Sequence, residues 1–415
     1  MASPRPPSSS STGRPSPGVS KLLPASRPVL RCRSGPARVK ILYLDHAAEL
    51  GGAEVSLLGL LRTLDRTRFA PALACPPGTL RQRAQALGVT VLDLSTERLL
   101  KNLTPWGLWL RLRRGSAAVE RAARERASDA LHANTLRVAV LAARVARRLR
   151  LPLIWHVRDR VTPEWVRRRL LRRCDIAIAP SRFIANSLGA QPKIRVVPNG
   201  IDPADVPPEE AVTAFRQELG IPTDASLVGC MGRLHRWKGQ HYFLDVAARL
   251  ARELGNVTFL VVGAPLHAAP GDTYAAELAD TTRRLGLEGR VRFLGHRADP
   301  LVALSAMDVV VNCSRDEPFG RVLIEAMACR RPVVAFRSGA VPEIVEDSST
   351  GFLVPFGDTA SMAEAVAALV RNRTRAEAYG EAGRQRVATR FTLAASTRAV
   401  EAIYAELAAG RGAAP

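Results

Sequence analysis

The stretch from Met307 to Phe336 restricts the fold more than any other part of the chain. Residues 307–311 form a short apolar run rich in valine, which reads as a buried strand. A polar loop holding Glu317 follows, and Pro318-Phe319-Gly320 leads into an apolar-periodic helix over 322–329. A second strand over 332–336 comes at once. Strand, helix and strand at this spacing make a βαβ crossover, and its two strands run parallel.

The same stretch carries chemistry. Glu317 lies in the loop and Glu325 about one and a half turns past Gly320. A helix starting at Gly320 offers free N–H groups and a positive dipole to a phosphate. A carboxylate one turn further in can accept from a ribose diol, and one just before the helix can reach beyond the phosphates. A solvated surface pair is the plain alternative, although Ile324, Ala326 and Met327 around Glu325 argue against full exposure.

Order in the chain starts after a Pro-, Ser- and Arg-rich extension, residues 1–37, which is expected to be disordered. Strands are expected over 39–44, 69–75, 89–94, 131–134, 153–157, 176–179 and 194–197. Helices are expected over 55–64, 80–87, 135–149 and 181–188. After the turn Pro198-Asn199-Gly200, strands over 226–231, 257–262 and 291–294 alternate with helices over 242–254 and 273–285. Helices near 361–370, 374–390 and 393–408 end the pattern. Such alternation predicts an α/β fold of two doubly wound halves with parallel sheets. The expected units are residues 38–200, 201–390 and a final segment 391–415.

Two features resemble anion sites. Gly51-Gly52-Ala53-Glu54 joins the first strand to its helix, either as a place for an anion or as a plain tight turn. His156 lies at the end of a buried strand, where α/β sheets place side chains that contact ligands. The six cysteines, Cys32, Cys75, Cys174, Cys230, Cys313 and Cys329, show no metal-ligand spacing and read as reduced structural thiols. No apolar run approaches the ~20 residues that span a bilayer. With no secretory h-region either, a cytoplasmic location is expected.

Net charge is +22, and residues 1–200 hold 36 Lys and Arg against 12 Asp and Glu, so all the excess lies in the first half. Segments 106–114 and 165–173 combine Trp and Leu with clustered arginine. Two readings fit them: docking on an anionic membrane surface, or amphipathic helices with solvated arginine faces.

Several islands in order resemble one family. They are Gly51-Gly52-Ala53-Glu54, Pro198-Asn199-Gly200-Ile201-Asp202, Gly232-Arg233 with Lys238-Gly239, Gly295-His296, and Glu317-Pro318-Phe319-Gly320 with Glu325. Over residues 38–408 the chain resembles the nucleotide-sugar-dependent retaining glycosyltransferases of family 4, of GT-B architecture. That resemblance implies two Rossmann-like domains facing across a cleft, with a C-terminal helix packing back on the first. It implies that Arg233 and Lys238 hold the donor diphosphate and neutralise the leaving group.

By the same resemblance Glu325 binds the ribose and Glu317 the donor sugar. Phe319 and Gly320 supply backbone N–H groups, and Gly232, Gly295 and Arg321 stand beside the donor. His156 would lie near the transferred sugar. Gly51, Gly52, Glu54 and His132 would lie on the acceptor side. No metal and no cofactor is expected, the Arg–Lys pair standing in for a divalent cation. The implied partners are a nucleoside-diphosphate sugar and a glycan or lipid-linked acceptor.

Ala340 departs from the family, many members of which have a second glycine there, so the approach of backbone to sugar could differ. Other functions fit less well. No basic-aromatic or helix-turn-helix signature supports specific nucleic-acid binding. Gly51-Gly52 lacks the G-x-G-x-x-G spacing of a dinucleotide-dependent oxidoreductase. A nucleotide-sugar epimerase, or a non-catalytic binder of the same architecture, is a nearer rival.

Overall fold

The structure is a computed structural model that describes residues 38–94, 105–161, 163–265 and 273–409. The extension 1–37 therefore lies outside the described residues. Apolar β-branched and leucine-rich runs give the first sheet β1 (Val39–Leu44), β2 (Phe69–Cys75), β3 (Thr90–Asp93), β4 (Ala130–Ala133), β5 (Leu153–His156), β6 (Ile176–Ala179) and β7 (Ile194–Val196). Between them run α1 (Gly52–Thr63), α2 (Thr79–Ala86), α3 (Pro105–Glu125), α4 (Leu136–Leu149), α5 (Glu164–Leu171) and α6 (Arg182–Leu188). All pairings are parallel, in the order β3-β2-β1-β4-β5-β6-β7.

After α7 (Glu209–Glu218), a second parallel sheet holds β8 (Ser226–Met231), β9 (Val257–Val262), β10 (Val291–Gly295), β11 (Val309–Asn312), β12 (Val333–Phe336) and β13 (Gly351–Val354). Its helices are α8 (Gln240–Glu253), α9 (Tyr274–Arg284), α10 (Pro300–Ala306), α11 (Arg321–Ala328) and α12 (Val341–Ile344). The order is β10-β9-β8-β11-β12-β13. In both sheets the winding reverses beside the first strand of the unit. Each reversal opens a crevice at the carboxyl ends of the strands, between β1 and β4 and between β8 and β11.

Helices α13 (Thr359–Arg371), α14 (Arg373–Arg390) and α15 (Leu393–Ala409) complete the chain. The last of these leaves the second domain and packs on the first. Its Val400, Ile403 and Tyr404 enter the core formed by Ile41, Tyr43 and Leu57. Thr63 and Thr397 hydroxyls meet at 2.6 Å, and Asp65 N–H donates to Glu401 Oε1 at 2.7 Å. Two doubly wound α/β domains are what the strand–helix alternation predicts, and the return of the final helix to the first is what the family resemblance implies.

The differences from the sequence reading have local reasons. Met307 caps α10 and does not open a strand, because the helix over Pro300–Ala306 runs up to it. That helix, α7 and α12 are short, and their apolar positions are too few to establish a period. The strand Gly351–Val354 is four residues long and is stabilised by pairing along β12.

Several contacts join the domains at the cleft. Arg62 donates to both carboxylate oxygens of Asp205 at 2.8 Å. Arg160 pairs with Asp316 at 2.9 Å. Ser181 Oγ donates to the Pro318 oxygen at 2.6 Å. The Glu343 carboxylate accepts from the N–H groups of Arg182 and Phe183, each at 2.8 Å.

Candidate active site

The second crevice is built by three loops, one after β8, one after β11 and one after β12. The first and the third each touch the second at a position that lacks a side chain. Gly239 has a φ of +74°, and a Cβ there would stand 2.2 Å from the Cys313 oxygen. Gly339 has a φ of +61°, and its Cβ would lie 2.4 Å from both N and O of Glu317. The amide of Ala340 then donates to the Glu317 oxygen at 2.8 Å. Gly339 thus lets the backbone approach Glu317, and Ala340 beside it is buried.

This packing brings residues 79 positions apart together: Lys238 Nζ donates to Glu317 Oε2 at 2.8 Å. Lys238 also stands over the Trp237 ring at 4.2 Å, and the Arg233 guanidinium lies 6.0 Å from the same ring. One indole therefore spaces both cations. Gly232 precedes Arg233, and its amide donates to the Val262 oxygen at 2.9 Å. Gly295 closes the neighbouring strand end, its oxygen accepting from Gly263 N–H at 2.8 Å. From the first domain, Asp159 lies within electrostatic reach of Arg233, Lys238 and Glu317.

Gly320 caps α11 in the left-handed region. Phe319 turns its ring inward, edge-on to Phe391 at 6.1 Å. Glu325 is buried, and Arg321 Nε donates to its Oε1 at 2.7 Å. Burial pushes the Glu325 carboxyl up, and the guanidinium opposes that shift. Arg321 also reaches the first domain: its Nη1 donates to Ser56 Oγ at 3.3 Å, and its Cδ comes within 4.0 Å of a side-chain position on Gly52. The Gly51-Gly52 turn therefore faces the start of α11 across the cleft.

The first crevice is lined differently. Glu54 is buried and accepts from Gly51 N–H at 2.9 Å, so it closes its own helix start. Burial and the neighbouring Asp45 push its carboxyl up to about 7. Asn134 Nδ2 donates to Asp45 at 2.6 Å, and its Oδ1 accepts two bonds from Arg158 at 3.1 and 2.5 Å. Arg158 also donates to Asn199 Oδ1 at 3.0 Å.

His132 and His156 are both buried. Their rings join at 3.3 Å through His132 Nε2 and His156 Nδ1, and His132 Nδ1 lies 2.6 Å from the Tyr404 hydroxyl. Tyr404 in turn donates to Tyr43 at 2.8 Å. Burial, with Arg158 nearby, pushes His132 down to about 3 and His156 well below the usual histidine range. Both imidazoles are neutral. His156 Nε2 has no partner among the described residues, and a small cavity lined by Ser56, His156, Arg158, Asn199, Gly200 and Ser396 lies beside it.

Two sequence profiles match. "Glycosyltransferase Family 4" covers residues 50–205, and "Glycosyl transferases group 1" covers residues 212–386. The lipopolysaccharide core biosynthesis mannosyltransferase LpsB of Rhizobium meliloti is 31% identical over 57% of this chain and 67% of its own length.

The chain belongs to glycosyltransferase family 4.

The alpha-maltose-1-phosphate synthase of Mycolicibacterium smegmatis is 35% identical over 59% of this chain and 66% of that protein. The matched stretch spans from about half to two thirds of the curated relatives' length. Among solved structures, Anabaena Alr3699/HepE in complex with UDP and glucose superposes with a TM-score of 0.78 at 28% identity, covering 89% of this chain and all of that one. The two-domain GT-B architecture of the family is the fold described above.

Sequence reasoning overlooked Asp45, Asn134, Arg158, Asp159 and Tyr404. Arg158 and Asp159 carry the same signal as His156, since all three follow a buried strand into the cleft. Tyr404 had no signal, because only the return of α15 brings it to His132. Among the described residues, no group of three His, Cys, Asp or Glu side chains gathers as a metal site. The described cysteines are free and buried, and Cys32 lies outside them.

Proposed function

We propose that the chain transfers a sugar from a nucleoside-diphosphate donor to an acceptor hydroxyl, with retention at the anomeric carbon. The observation that carries this reading is the Lys238–Glu317 pair, with Arg233 on the same indole, at the crevice of the second sheet. An ammonium has three donors, and Lys238 shares one with Glu317, so phosphate oxygens can join without breaking the pair. Arg233 adds a planar fork suited to a phosphate. As the glycosidic bond breaks, the diphosphate gains charge, and a half-buried Lys238 held by Glu317, with the exposed Arg233 beside it, would stabilise that charge.

Glu317 is oriented by Lys238 and by the close contact with Gly339, so its free oxygen can accept from hydroxyls of the donor sugar. Glu325 accepts from the ribose, with Arg321 fixing its rotamer. His156 presents an unpartnered ring nitrogen to the cavity on the acceptor's side. The acceptor oxygen attacks on the face that the diphosphate leaves, and its proton passes to a departing phosphate oxygen. The complex of the Anabaena protein with UDP and glucose supports a nucleotide-sugar donor. The mannosyltransferase relative supports an envelope-glycan acceptor, reached from the cytoplasmic side.

We infer that this chemistry needs no metal, because Arg233 and Lys238 supply the positive charge. Turnover should survive a chelator, and a loss that Mg²⁺ or Mn²⁺ restores would refute the inference. A thermal-shift panel of UDP-, GDP-, ADP- and dTDP-sugars should show stabilisation by one base class. Release of nucleoside diphosphate only when acceptor is present separates transfer from epimerisation. No shift with any of the four sugars would overturn the donor assignment.

A further inference from the structure

The layer formed by α3, α4 and α5 exposes many of the first domain's arginines, among them Arg113, Arg114, Arg144, Arg147, Arg168 and Arg169. These helices cover one face of the first sheet and share its core. The same layer holds the two most exposed large apolar side chains of the described residues, Trp165 at 67% and Trp106 at 66%, and a third exposed indole, Trp109, at 39%. The Trp106 and Trp109 rings stack at 4.8 Å, and the Arg113 guanidinium lies 4.7 Å from the Trp109 ring. An indole pair held in contact with water, capped by a cation, has an apolar body and a charged rim.

The strands are parallel, so a helix that follows a strand begins at the sheet's carboxyl edge. Trp106 and Trp109 are in the first turns of α3, and Trp165 is in the first turn of α5. All three therefore stand on the edge that holds His156 and the cleft. Further along the layer, Arg173 lies within electrostatic reach of Arg144 and Arg147 of α4 and of its own neighbours Arg169 and Arg172. Burial and these like charges hold Arg173 below the ordinary arginine range. Glu120 pairs with Arg124 and Arg148, and Glu164 with Arg167 and Arg168, so these acids offset only some of the layer's arginines, while Glu125 stands exposed at the end of α3.

Like charges repel, and gathering them is favourable only when negative charge arrives from outside. Exposed indoles beside arginines suit the headgroup region of a bilayer, where the ring meets acyl chains and its N–H meets water. A nucleic acid would follow a groove, whereas this is the outward side of a helical layer. We propose that this layer docks on an anionic phospholipid bilayer, with Trp106, Trp109 and Trp165 among the headgroups and the arginines against lipid phosphates. No described helix is long and apolar enough to cross a membrane, so docking is from the surface.

Docking itself does not depend on the transferase reading. That reading adds only why the edge matters, since the cleft would open beside the bilayer where a lipid-linked acceptor presents its hydroxyl.

Sedimentation of the full chain with vesicles tests the proposal. One set is phosphatidylcholine alone and the other contains about one third phosphatidylglycerol, as in an anionic surface. The chain should partition onto the anionic vesicles at low salt, leave them at high salt, and ignore the neutral ones. Trp106→Ala/Trp109→Ala/Trp165→Ala should cut partition at least tenfold with an unchanged melting temperature. Arg144→Gln/Arg147→Gln/Arg169→Gln should cut it further, at roughly fivefold per arginine near the surface.

The proposal is overturned by absence of anionic-vesicle binding at low salt. It is also overturned by equal binding to neutral vesicles, or by partition unchanged in both variants. Retention on single-stranded DNA that the arginine variant loses, without vesicle binding, would assign the face to nucleic acid instead. Donor thermal shifts on the same samples stay normal if only docking fails. Their loss with docking intact would count against the transferase reading alone.

Discussion

The two domains share one winding order, yet their crevices hold opposite kinds of polar chemistry. In the second, Lys238 and Arg233 sit on one indole beside Glu317, with charges that a ligand can reach. In the first, His132 and His156 are buried and neutral, and Asp45, Asn134 and Arg158 satisfy one another. Topology thus supplies a crevice at each switch point but not its chemistry. One crevice is suited to neutralise a charged leaving group. The other sets the neutral His156 ring beside an Arg158 guanidinium that Asn134 and Asn199 already engage.

The comparison breaks most decisively at the cations. Lys238→Ala should lower nucleoside-diphosphate release on the order of 10²-fold or more with an intact fold, by analogy with loss of a transition-state donor. Near-normal turnover with normal circular dichroism would remove Lys238 from its assigned role. Gly339→Ala should come next. It forces a strained φ and a clash with Glu317, so a loss of roughly 2–3 kcal/mol of stability is expected with weaker donor binding. Denaturant melts and donor titrations measure the two effects.

On the neutral side, Glu54 offers a test with a definite sign. Its folded pKa is raised from 4.5 to about 7, so its contribution to stability is present below pH 4.5 and is lost as pH climbs through 7. Glu54→Gln keeps an acceptor for Gly51 N–H. It should match the wild type at pH 4 and exceed it at pH 8 by on the order of 2 kcal/mol. A constant difference across that range would show that the carboxyl is not desolvated as described.

A smaller effect is expected from Tyr404→Phe, which removes only the hydroxyl held between His132 and Tyr43. It should cost about 1–2 kcal/mol of stability. It should also lower kcat several-fold without changing donor KM, because His132 loses the partner that orients it against His156. The smallest effect belongs to Ala340→Gly, with a change of about 1 kcal/mol or less and unaltered turnover, since Gly339 already makes the close approach. A gain in activity there would mean that the methyl of Ala340 matters to a substrate.

Local periodicity made most of the fold legible. Runs such as residues 39–44, 69–75 and 226–231 are apolar, bounded by turn residues and as long as a strand, and the structure keeps their limits. The short elements α10, α12 and β13 escaped notice because packing on neighbours stabilises them more than their own pattern does. Glu317 and Glu325 could be named from their place around the helix start at Gly320, and Lys238 from the family resemblance. Arg158, though only two residues after His156, shows its role only through Asn134 and Asn199, which the chain brings to it from distant positions.

The sequence by itself determined two parallel-sheet units, the strand-end positions of the charged residues and the concentration of arginine in the first half. These depend on contacts between near neighbours, which spacing records. Tertiary structure alone decided that Lys238 meets Glu317, that Tyr404 orients His132, and that the arginines of α4 and α5 share one face. Each of these joins side chains from separate crossovers. Their distance is set by how helices and loops pack over a common sheet, and no local pattern encodes it.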